Sequence, residues 1–317
     1  MVSTEDVKAA YRLILGRPPE SGDVLLRHAR QYRSIDELRE AFFNSPEFQN
    51  IPLRRTQPAG PLEWGKNVVE TEASPAEMNE MIGRVEATWQ HLGQSEPHWS
   101  VLVNDCFRTE QIGQNEDLFY QTGRIYLQRL QRAAERCGIS LGDYRHCFEL
   151  GCGVGRLTIW LSEQFENVVA ADISGAHLEI AQATLRRFSC NNVSLKHITS
   201  LADLDALPEF GLFTSMIVLQ HNPPPVIALL LERMLRKLRP GGTAYFQVPT
   251  FIADYRFVVG EYLGQPNPTG QIEMHALPQR VLFDIIERCG CRLLDIREDD
   301  EAGREPIVSN TVFLSKS

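Results

Sequence analysis

From residue 146 to residue 317, short apolar segments alternate with amphipathic ones, and this alternation limits the fold more than any other feature. HCFEL at 146–150 and NVVAADIS at 167–174 have the composition of buried strands. AHLEIAQATLRRF at 176–188 and PPVIALLLERMLRKL at 224–238 repeat apolar residues at helical spacing. Strands that alternate with helices form a mostly parallel sheet covered on both faces. We therefore expect an α/β fold with a doubly wound sheet in this part of the chain.

A glycine-rich segment, FELGCGVGRLTIWL at 148–161, joins the first predicted strand to the next helix. Gly151, Gly153 and Gly155 leave the backbone bare at alternate positions, which permits close approach of a ligand and dihedral angles closed to other residues. A dinucleotide-binding loop would place its third glycine at position 156, which is arginine here, and the GK[ST] sequence of a P-loop is absent. Neither phosphate-binding motif therefore fits the segment, and Glu149 places a carboxylate just before the loop.

The pattern E-x-G-x-G-x-G followed by Arg-Leu resembles the first motif of the class I S-adenosylmethionine-dependent methyltransferases. Three further features are similar to that family: Asp172 at the end of the second predicted strand, LRPGG before the strand TAYFQVP, and the two C-terminal strands CRLLDIRED and NTVFLSK. The resemblance covers about residues 145–317. It implies a Rossmann-like core of seven strands, with the last strand antiparallel between the fifth and sixth, and S-adenosylmethionine as the cofactor.

The resemblance also implies how the methionine end of the cofactor is held. The three glycines carry it, Glu149 accepts hydrogen bonds from the ammonium group, and Gln220 ends the fourth strand near the sulfonium. FYQTG at 119–123 resembles a helix that closes over the cofactor in many relatives. There, Tyr120 reaches the cofactor carboxylate and Gly123 allows close approach.

For the adenosine end, the same resemblance assigns four residues. Asp172 accepts hydrogen bonds from both ribose hydroxyls, and Ile173 packs on the adenine. Ser200 and Leu201, after the third predicted strand, flank the adenine edge. A carboxylate at the position of Asp172 also fits a nicotinamide cofactor. Asp172 therefore indicates S-adenosylmethionine only in combination with the glycine loop.

Two histidines are the candidates for catalysis. Methyl transfer is an in-line displacement, and a hydroxyl nucleophile benefits from a base that takes its proton. His221, in VLQHNPPP, follows the fourth predicted strand, and His275 follows a long insertion before the last helix. Asp254, Tyr255 and Glu273 in the same insertion are weaker candidates. No motif with metal-ligand spacing is visible, so we predict no metal site.

Helical regions precede the predicted sheet. Residues 1–50 form a small helical module, 51–75 a linker rich in Pro and Gly, and 76–143 a helical extension of a methyltransferase domain that spans 76–317. The pattern Tyr-Arg-x-x-Leu-Gly-Arg-x-Pro from Tyr11, with the later Ser-Pro-Glu-Phe, resembles a domain met beside glycosyltransferases and methyltransferases of bacterial surface glycans. That resemblance implies docking to glycan-assembly proteins through residues 1–50.

Composition and missing motifs argue against several classes of function. The net charge of −9 disfavours duplex nucleic acid as a partner. The NPP[YF] motif of adenine-N6 and glutamine methylation and the Pro-Cys pair of cytosine-C5 methylation are both absent. The first residues are acidic and amphipathic, unlike a signal peptide, and no stretch approaches the ~18 apolar residues of a membrane span. We therefore expect a cytoplasmic protein, with the seven cysteines as free thiols.

The joined modules lead to one hypothesis and leave alternatives open. The hypothesis is an S-adenosylmethionine-dependent O-methyltransferase that acts on a sugar hydroxyl of a bacterial polysaccharide or glycolipid. One alternative is a methyltransferase for natural-product or quinone-like small molecules, which would have a predominantly apolar acceptor pocket. Another is a non-catalytic, cofactor-binding scaffold in glycan assembly. A nicotinamide enzyme is disfavoured by the position of the third glycine.

Overall fold

The structure is a computed structural model of the chain. It describes residues 2–15, 17–50, 65–267, 269–303 and 306–317. The chain divides into two compact units, Met1–Leu62 and Glu63–Ser317. Of the predicted linker at 51–75, residues 51–64 lie outside the described residues. Each unit has an apolar core of its own.

The described residues of the N-terminal unit form short helices. They are α1 (Thr4–Ile14), α2 (Gly22–Gln31), α3 (Ile35–Phe43) and α4 (Pro46–Asn50). Ser3, Ser21 and Ser34 cap the first three, because each hydroxyl accepts a hydrogen bond from a backbone N–H that the helix start leaves free. Tyr11 and Phe42 pack edge to face in the core of this unit, with ring centroids 5.0 Å apart.

A helical extension precedes the main sheet in the second unit. It contains β1 (Val68–Val69), α5 (Pro75–Ser95), α6 (Pro97–Val101) and α7 (Ile112–Arg136). Ser74 starts α5 with a capping box: its hydroxyl accepts from the N–H of Glu77, and the Glu77 carboxylate accepts from the N–H of Ser74. Met78, Met81 and Val85 bury the apolar face that the sequence predicts for α5.

The described residues form a seven-stranded sheet. Its strands are β2 (His146–Leu150), β3 (Asn167–Asp172), β4 (Val193–His197), β5 (Phe210–Ser215), β6 (Leu238–Ile252), β8 (Cys291–Asp299) and β9 (Ile307–Lys316), while β7 (Arg256–Phe257) pairs with β1. The order is β4-β3-β2-β5-β6-β9-β8. Strands β2 to β6 pair in parallel, and β9 runs antiparallel to both of its neighbours. The predicted topology is thus confirmed.

Helices cover both faces of the sheet. Those after β2 are α8 (Thr158–Gln164), α9 (Gly175–Arg187), α10 (Leu201–Asp205), α11 (Pro224–Arg236), α12 (Val259–Leu263) and α13 (Gln279–Arg288). Successive strand residues point to opposite faces. Cys147 and Leu212 therefore pack with α7, α8 and α9, whereas Phe148 and Phe213 pack with α11 and α13. Because alternate strand residues are buried on opposite faces, helices pack on both faces of the sheet, which is the doubly wound arrangement.

Two predicted element boundaries are wrong for reasons of backbone conformation. The sequence VGRLTIWLSEQF at 154–165 predicts a helix, but α8 begins only at Thr158. Gly155 has φ +87°, and a helix cannot pass through that conformation. LRPGG is not a turn before the strand but part of β6, which begins at Leu238. Between Leu238 and Thr243 the pairing with β5 shifts register, so the two glycines form a bulge.

The prediction for the fourth core strand is also wrong. The apolar run at 212–221 predicts one continuous strand, but β5 ends at Ser215. Ile217 has φ +60° and turns the backbone out of the sheet. Gln220 therefore does not end the strand, and His221 does not directly follow it; both lie in a 3₁₀ turn.

Candidate functional site

A cleft of about 1140 Å³, its open mouth included, lies at the carboxyl ends of β2 to β5. Strand β2 has β3 on one side and β5 on the other, so strand order reverses here, as at the usual ligand site of an open α/β sheet. Trp89 of α5 and Val101 of α6 also line the cleft. Seven of the predicted site residues line it: Glu149, Gly151, Gly153, Asp172, Ile173, Ser200 and Leu201.

The backbone N–H groups of the glycine loop donate hydrogen bonds to other groups of the protein. Those of Gly151 and Cys152 both donate to the carbonyl oxygen of Ala171, at 2.7 and 3.0 Å. That of Gly153 donates to a carboxylate oxygen of Asp172 at 2.8 Å. A phosphate site needs such groups free to point at the anion. The loop geometry therefore favours a ligand without phosphate, as the sequence predicts.

Two of the three glycines keep the cleft open at the loop. Gly151 and Gly153 have φ +75° and +53°. A Cβ on Gly151 would lie 2.3 Å from a methyl carbon of Val218, and one on Gly153 would lie 2.6 Å from a methyl carbon of Val101. Gly155 does not line the cleft, because a Cβ there would face helix α9. The third glycine thus serves the packing of the loop.

Two buried carboxyl groups line the cleft in different environments. Glu149 accepts a hydrogen bond from the Thr158 hydroxyl at 2.6 Å. Burial raises the pKa of Glu149 to about 7, against the opposing effects of Thr158 and the Arg156 charge, so a cationic ligand would favour its ionised form. Asp172 accepts from the glycine loop and from the N–H of Ser174 at 2.9 Å. Each Asp172 oxygen keeps a further lone pair for a ligand hydroxyl.

Arg156 is a buried cation that lines the same cleft. Its Nη1 donates to the Thr122 hydroxyl at 3.1 Å, and its guanidinium lies 4.8 Å from the centre of the Tyr126 ring. Nε has no hydrogen-bond partner among the described residues. A buried cation with an unused donor suits a ligand carboxylate. At the level of sequence, this arginine only argues against a dinucleotide-binding loop. No sequence pattern predicts that it is buried or that its Nε lacks a partner.

The structure does not bring Tyr120 or Gly123 to the cleft. Tyr120 is buried, and its hydroxyl pairs with that of Thr184 on α9 at 2.7 Å. A Cβ on Gly123 would lie 2.0 Å from the carbonyl oxygen of Arg156. Helix α7 does approach closely at this glycine, but its neighbour is the backbone at the end of the glycine loop. Both residues therefore support the loop from within the protein.

The turn after β5 separates the cleft from a second pocket. Ile217 and Asn222 line the cleft, whereas His221 lines the second pocket. Gln220 lines neither; its side-chain nitrogen donates to Nε2 of His221 at 3.2 Å. Ile217 holds a left-handed conformation that is costly for a β-branched residue, and such strain concentrates at functional sites.

The second pocket spans about 260 Å³, its open mouth included, and shares Val85 and Trp89 with the cleft. It lies between α5 and the insertion that joins β6 to α13. Aromatic, amide and charged side chains form most of its wall. The other lining residues are Arg84, Thr88, His221, Tyr262, Asn267, Gln271, Ile272 and Glu273. The sequence suggests no role for Trp89 beyond packing, since nothing in its neighbourhood marks a site.

His221 is held as a neutral ring in the wall of the second pocket. Its Nδ1 donates to the backbone carbonyl of Glu273 at 2.8 Å, which leaves Nε2 as the acceptor. Burial lowers the pKa of His221 to about 4, and the bond to that carbonyl only partly opposes the effect. The ring centre lies 5.3 Å from that of Trp89. His221 therefore carries no charge at physiological pH, and the lone pair of its Nε2 accepts the hydrogen bond from Gln220.

His275 lines neither the cleft nor the second pocket. It is buried, with Nδ1 paired with the Tyr255 hydroxyl at 2.7 Å and Nε2 paired with the Glu273 carboxylate at 3.2 Å. Tyr262 donates its hydroxyl to the same Glu273 oxygen at 2.9 Å. His275 thus positions Glu273, a residue that the sequence ranks below the histidines and that the structure places in the pocket wall.

The sheet order, the antiparallel β9 between β6 and β8, and the glycine loop after β2 define the fold of the class I S-adenosylmethionine-dependent methyltransferases. A solved structure with this fold is the magnesium protoporphyrin IX methyltransferase of Synechocystis PCC 6803 with bound S-adenosylhomocysteine. The TM-score is 0.51 at 16% sequence identity, over 75% of this chain and 100% of that chain. At this identity the likeness shows the fold alone.

Residues 148–242 match the family described as "Methyltransferase domain". The chain is 29% identical over 114 residues to a ubiquinone biosynthesis O-methyltransferase of Pseudomonas fluorescens, over 35% of this chain and 46% of that protein. It is 27% identical over 99 residues to a tRNA/tmRNA (uracil-C(5))-methyltransferase of Acinetobacter baumannii, over 31% and 26%. The chain thus spans less than half the length of these two relatives, whose names point to different acceptors.

The methyltransferase family that residues 148–242 match uses S-adenosylmethionine, so this is the cofactor of the domain. Three parts of the cofactor have a matching group in the cleft. The loop offers no free N–H of Gly151 or Gly153 to a phosphate, which this cofactor lacks. Glu149 suits the ammonium group, Arg156 the carboxylate, and Asp172 the ribose hydroxyls.

Proposed function

We propose that this protein transfers the methyl group of S-adenosylmethionine to a sugar hydroxyl of a bacterial polysaccharide or glycolipid. The second pocket carries this proposal, because it adjoins the cofactor cleft and is lined by aromatic and hydrogen-bonding side chains. The C–H face of a sugar packs on an aromatic ring, while its hydroxyls need hydrogen-bond partners. The resemblance of residues 1–50 to a domain met beside surface-glycan enzymes supports the same acceptor.

In this proposal the cofactor is held by those predicted residues that line the cleft, with Arg156 added. Gly151 and Gly153 give it room at the loop, and Glu149 binds its ammonium group. Asp172 binds the ribose, and the side chains after it and after β4 flank the adenine. Arg156 binds the carboxylate in place of Tyr120, whose hydroxyl is engaged by α9.

When bound, S-adenosylmethionine supplies an activated methyl group on a positively charged sulfur. The protein has to hold the acceptor hydroxyl in line with that group and receive its proton. We assign the proton to Nε2 of His221, which lines the second pocket and would exchange its hydrogen bond from Gln220 for one from the acceptor hydroxyl. A weak base suffices, because the hydroxyl proton becomes strongly acidic only as the new C–O bond forms. His275 acts indirectly, by positioning Glu273.

A quinone-like or natural-product acceptor is the second candidate. The match to a ubiquinone biosynthesis O-methyltransferase favours it, although that match covers under half of the relative. The cleft itself is lined by apolar side chains such as Ile82, Met216 and Leu230. An apolar ring could be bound there if the acceptor enters beside the cofactor instead of through the second pocket.

The cellular setting stays a prediction. We propose that residues 1–50 dock to glycan-assembly proteins and that the protein acts in the cytoplasm. Within the described part of the chain, no helix combines the length and the apolar character needed to cross a bilayer. Nor does a group of three or more His, Cys, Asp or Glu side chains there form a metal site.

A transfer assay tests the proposed function. The full chain is incubated with S-adenosylmethionine tritiated on the methyl group and with two acceptor panels, one of methyl glycosides and oligosaccharides and one of hydroquinones and catechols. We expect label in the first panel and a lower kcat for His221→Ala. Transfer to the second panel alone would overturn the sugar assignment. Cofactor binding without transfer to either panel would favour the scaffold alternative.

A further inference from the structure

We propose that the second pocket binds one neutral, hydroxyl-rich ring of the acceptor. In this proposal the Glu273 carboxylate accepts hydrogen bonds from the hydroxyls of that ring, and the Trp89 side chain packs on the face of the ring. This inference rests on the proposed function and adds to it the subsite and the charge class of the acceptor. It makes Glu273 and Trp89 residues that determine acceptor specificity. Its basis is the arrangement of charge, hydrogen bonds and aromatic rings around the pocket.

The Glu273 carboxylate is fixed on one side and open on the other. Tyr262 and His275 both hydrogen-bond to Oε2, at 2.9 and 3.2 Å. Within the described chain, no donor reaches Oε1. Burial acts to raise the pKa of Glu273, but the hydrogen bonds from His275 and Tyr262, together with the charges of His275 and Arg84, outweigh it and lower the pKa. An ionised, oriented carboxylate in a pocket wall is a strong acceptor for hydroxyl donors.

The positive charge in the pocket wall is already engaged. Arg84 forms an ion pair with Glu80 and donates to the backbone carbonyls of Tyr262, Leu263 and Gln265. His221 is neutral at physiological pH, as its low pKa of about 4 requires. Of the two charged groups in the described lining, Arg84 is thus paired with Glu80 and three carbonyls, whereas Glu273 keeps Oε1 for a ligand. An acceptor that is itself anionic would be repelled, so a neutral ring is favoured.

Trp89 places a ring in this pocket beside the cofactor. Its side chain lines both the cleft and the second pocket, so a ring that packs on it lies one side chain away from the cofactor. His221 and Asn222, adjacent in the chain, line the second pocket and the cleft respectively.

Saturation-transfer NMR on the full chain, saturated with S-adenosylhomocysteine, tests the subsite without relying on turnover. The probes are a neutral methyl glycoside panel and the matching methyl glycuronides. We expect the neutral compounds to bind and the glycuronides to bind more weakly. Glu273→Gln should weaken neutral glycoside binding about tenfold, since a charge-assisted hydrogen bond is replaced by a neutral one. The same variant should also reduce the difference in affinity between neutral glycosides and glycuronides.

A matched control comes from the same insertion. Glu261 is exposed and pairs with Arg256, away from the pocket lining, so Glu261→Gln should change nothing. Tyr262→Phe removes one hydroxyl that orients Glu273 and should weaken glycoside binding by a smaller factor, even if Glu273→Gln folds poorly. Calorimetry with S-adenosylhomocysteine checks that every variant keeps its cofactor cleft.

The possible failures are distinguishable. If glycosides bind and are methylated equally well by the wild type, Glu273→Gln and Tyr262→Phe, the subsite is overturned while the sugar function stands. If no glycoside binds or is methylated, whereas hydroquinones are, the proposed function fails and the subsite falls with it. Preference for glycuronides over neutral glycosides would overturn the charge argument by itself.

Discussion

The cofactor cleft and the second pocket lie side by side, yet they are built differently. The cleft is formed largely by turns that directly follow strands, and its shape depends on bare backbone at Gly151 and Gly153. The second pocket is formed by side chains from three distant segments, among them Trp89, His221 and Glu273. Requirements on the backbone leave a compact pattern in the sequence, whereas a set of distant side chains leaves none. One fold can therefore keep its cofactor while its acceptor changes.

The largest effect should follow from a single methyl group on the glycine loop. Gly151→Ala places a Cβ 2.3 Å from Val218 at a positive φ, so we expect affinity for S-adenosylhomocysteine to fall by about 100-fold or more, through clash and strain together. Calorimetric titration measures this. Gly290→Ala is the control, because Gly290 also has a positive φ but no atom lies within 4 Å of the place that a Cβ would take. It should cost stability and leave cofactor affinity unchanged.

Replacing Glu149 by a residue that cannot ionise should remove its contribution to the pH dependence of the free energy of unfolding. The folded-state pKa is raised from 4.5 to about 7, so the protonated group stabilises the unliganded fold at low pH. That stabilisation, about 3 kcal/mol, is lost as pH rises through about 7. Denaturant titration at pH 5.5 and pH 8 measures this effect. Relative to the wild type, the free energy of unfolding of Glu149→Gln should be higher at pH 8 than at pH 5.5. A difference between the two proteins that does not change with pH would contradict a buried, protonated Glu149.

The assignment of Arg156 predicts a loss that depends on the ligand. Arg156→Met should weaken S-adenosylhomocysteine about tenfold, because a charge-assisted contact to the carboxylate is lost. Binding of methylthioadenosine, which lacks the amino-acid end, should stay unchanged. Calorimetry with both ligands separates the two cases. Equal losses for both would mean that Arg156 only supports the structure of the cleft.

The smallest effect should come from Tyr120. Tyr120→Phe removes the hydrogen bond to Thr184 and should lower the free energy of unfolding by about 1 kcal/mol. Affinity for S-adenosylhomocysteine should not change, since Tyr120 does not line the cleft. Denaturant titration and calorimetry on the same preparation check both statements. A clear loss of affinity would restore the role that the sequence suggests for this residue.

Much of the fold could be predicted because its determinants are local. Alternate residues of β2 and β5 face two different apolar layers, and the helices between strands carry the spacing that buries one face. Boundaries failed where one residue left the expected dihedral region. Gly155 delays the start of α8, and Ile217 ends the predicted strand four residues before His221. A left-handed isoleucine has no sequence signature, since β-branched residues usually favour strands.

The candidate site could be predicted in part for a related reason. Glu149, Gly151, Gly153 and Asp172 end strands or directly follow them, so their place at the carboxyl edge comes from the topology. The acceptor side depends on which side chains of α5 and of the insertion meet, and this is settled only by tertiary packing. Glu273 shows the limit: the sequence marks its neighbours His221 and His275, whereas the structure makes it the carboxylate of the pocket wall.

Calorimetric titration with S-adenosylmethionine, S-adenosylhomocysteine and NAD, on the wild type and on Asp172→Asn, tests the cofactor cleft most directly. We predict micromolar binding of the first two ligands, no tighter binding of NAD, and a marked loss of affinity in the variant. No binding of either methionine-derived ligand, or tighter binding of NAD, would contradict the interpretation of the glycine loop and the proposed reaction with it.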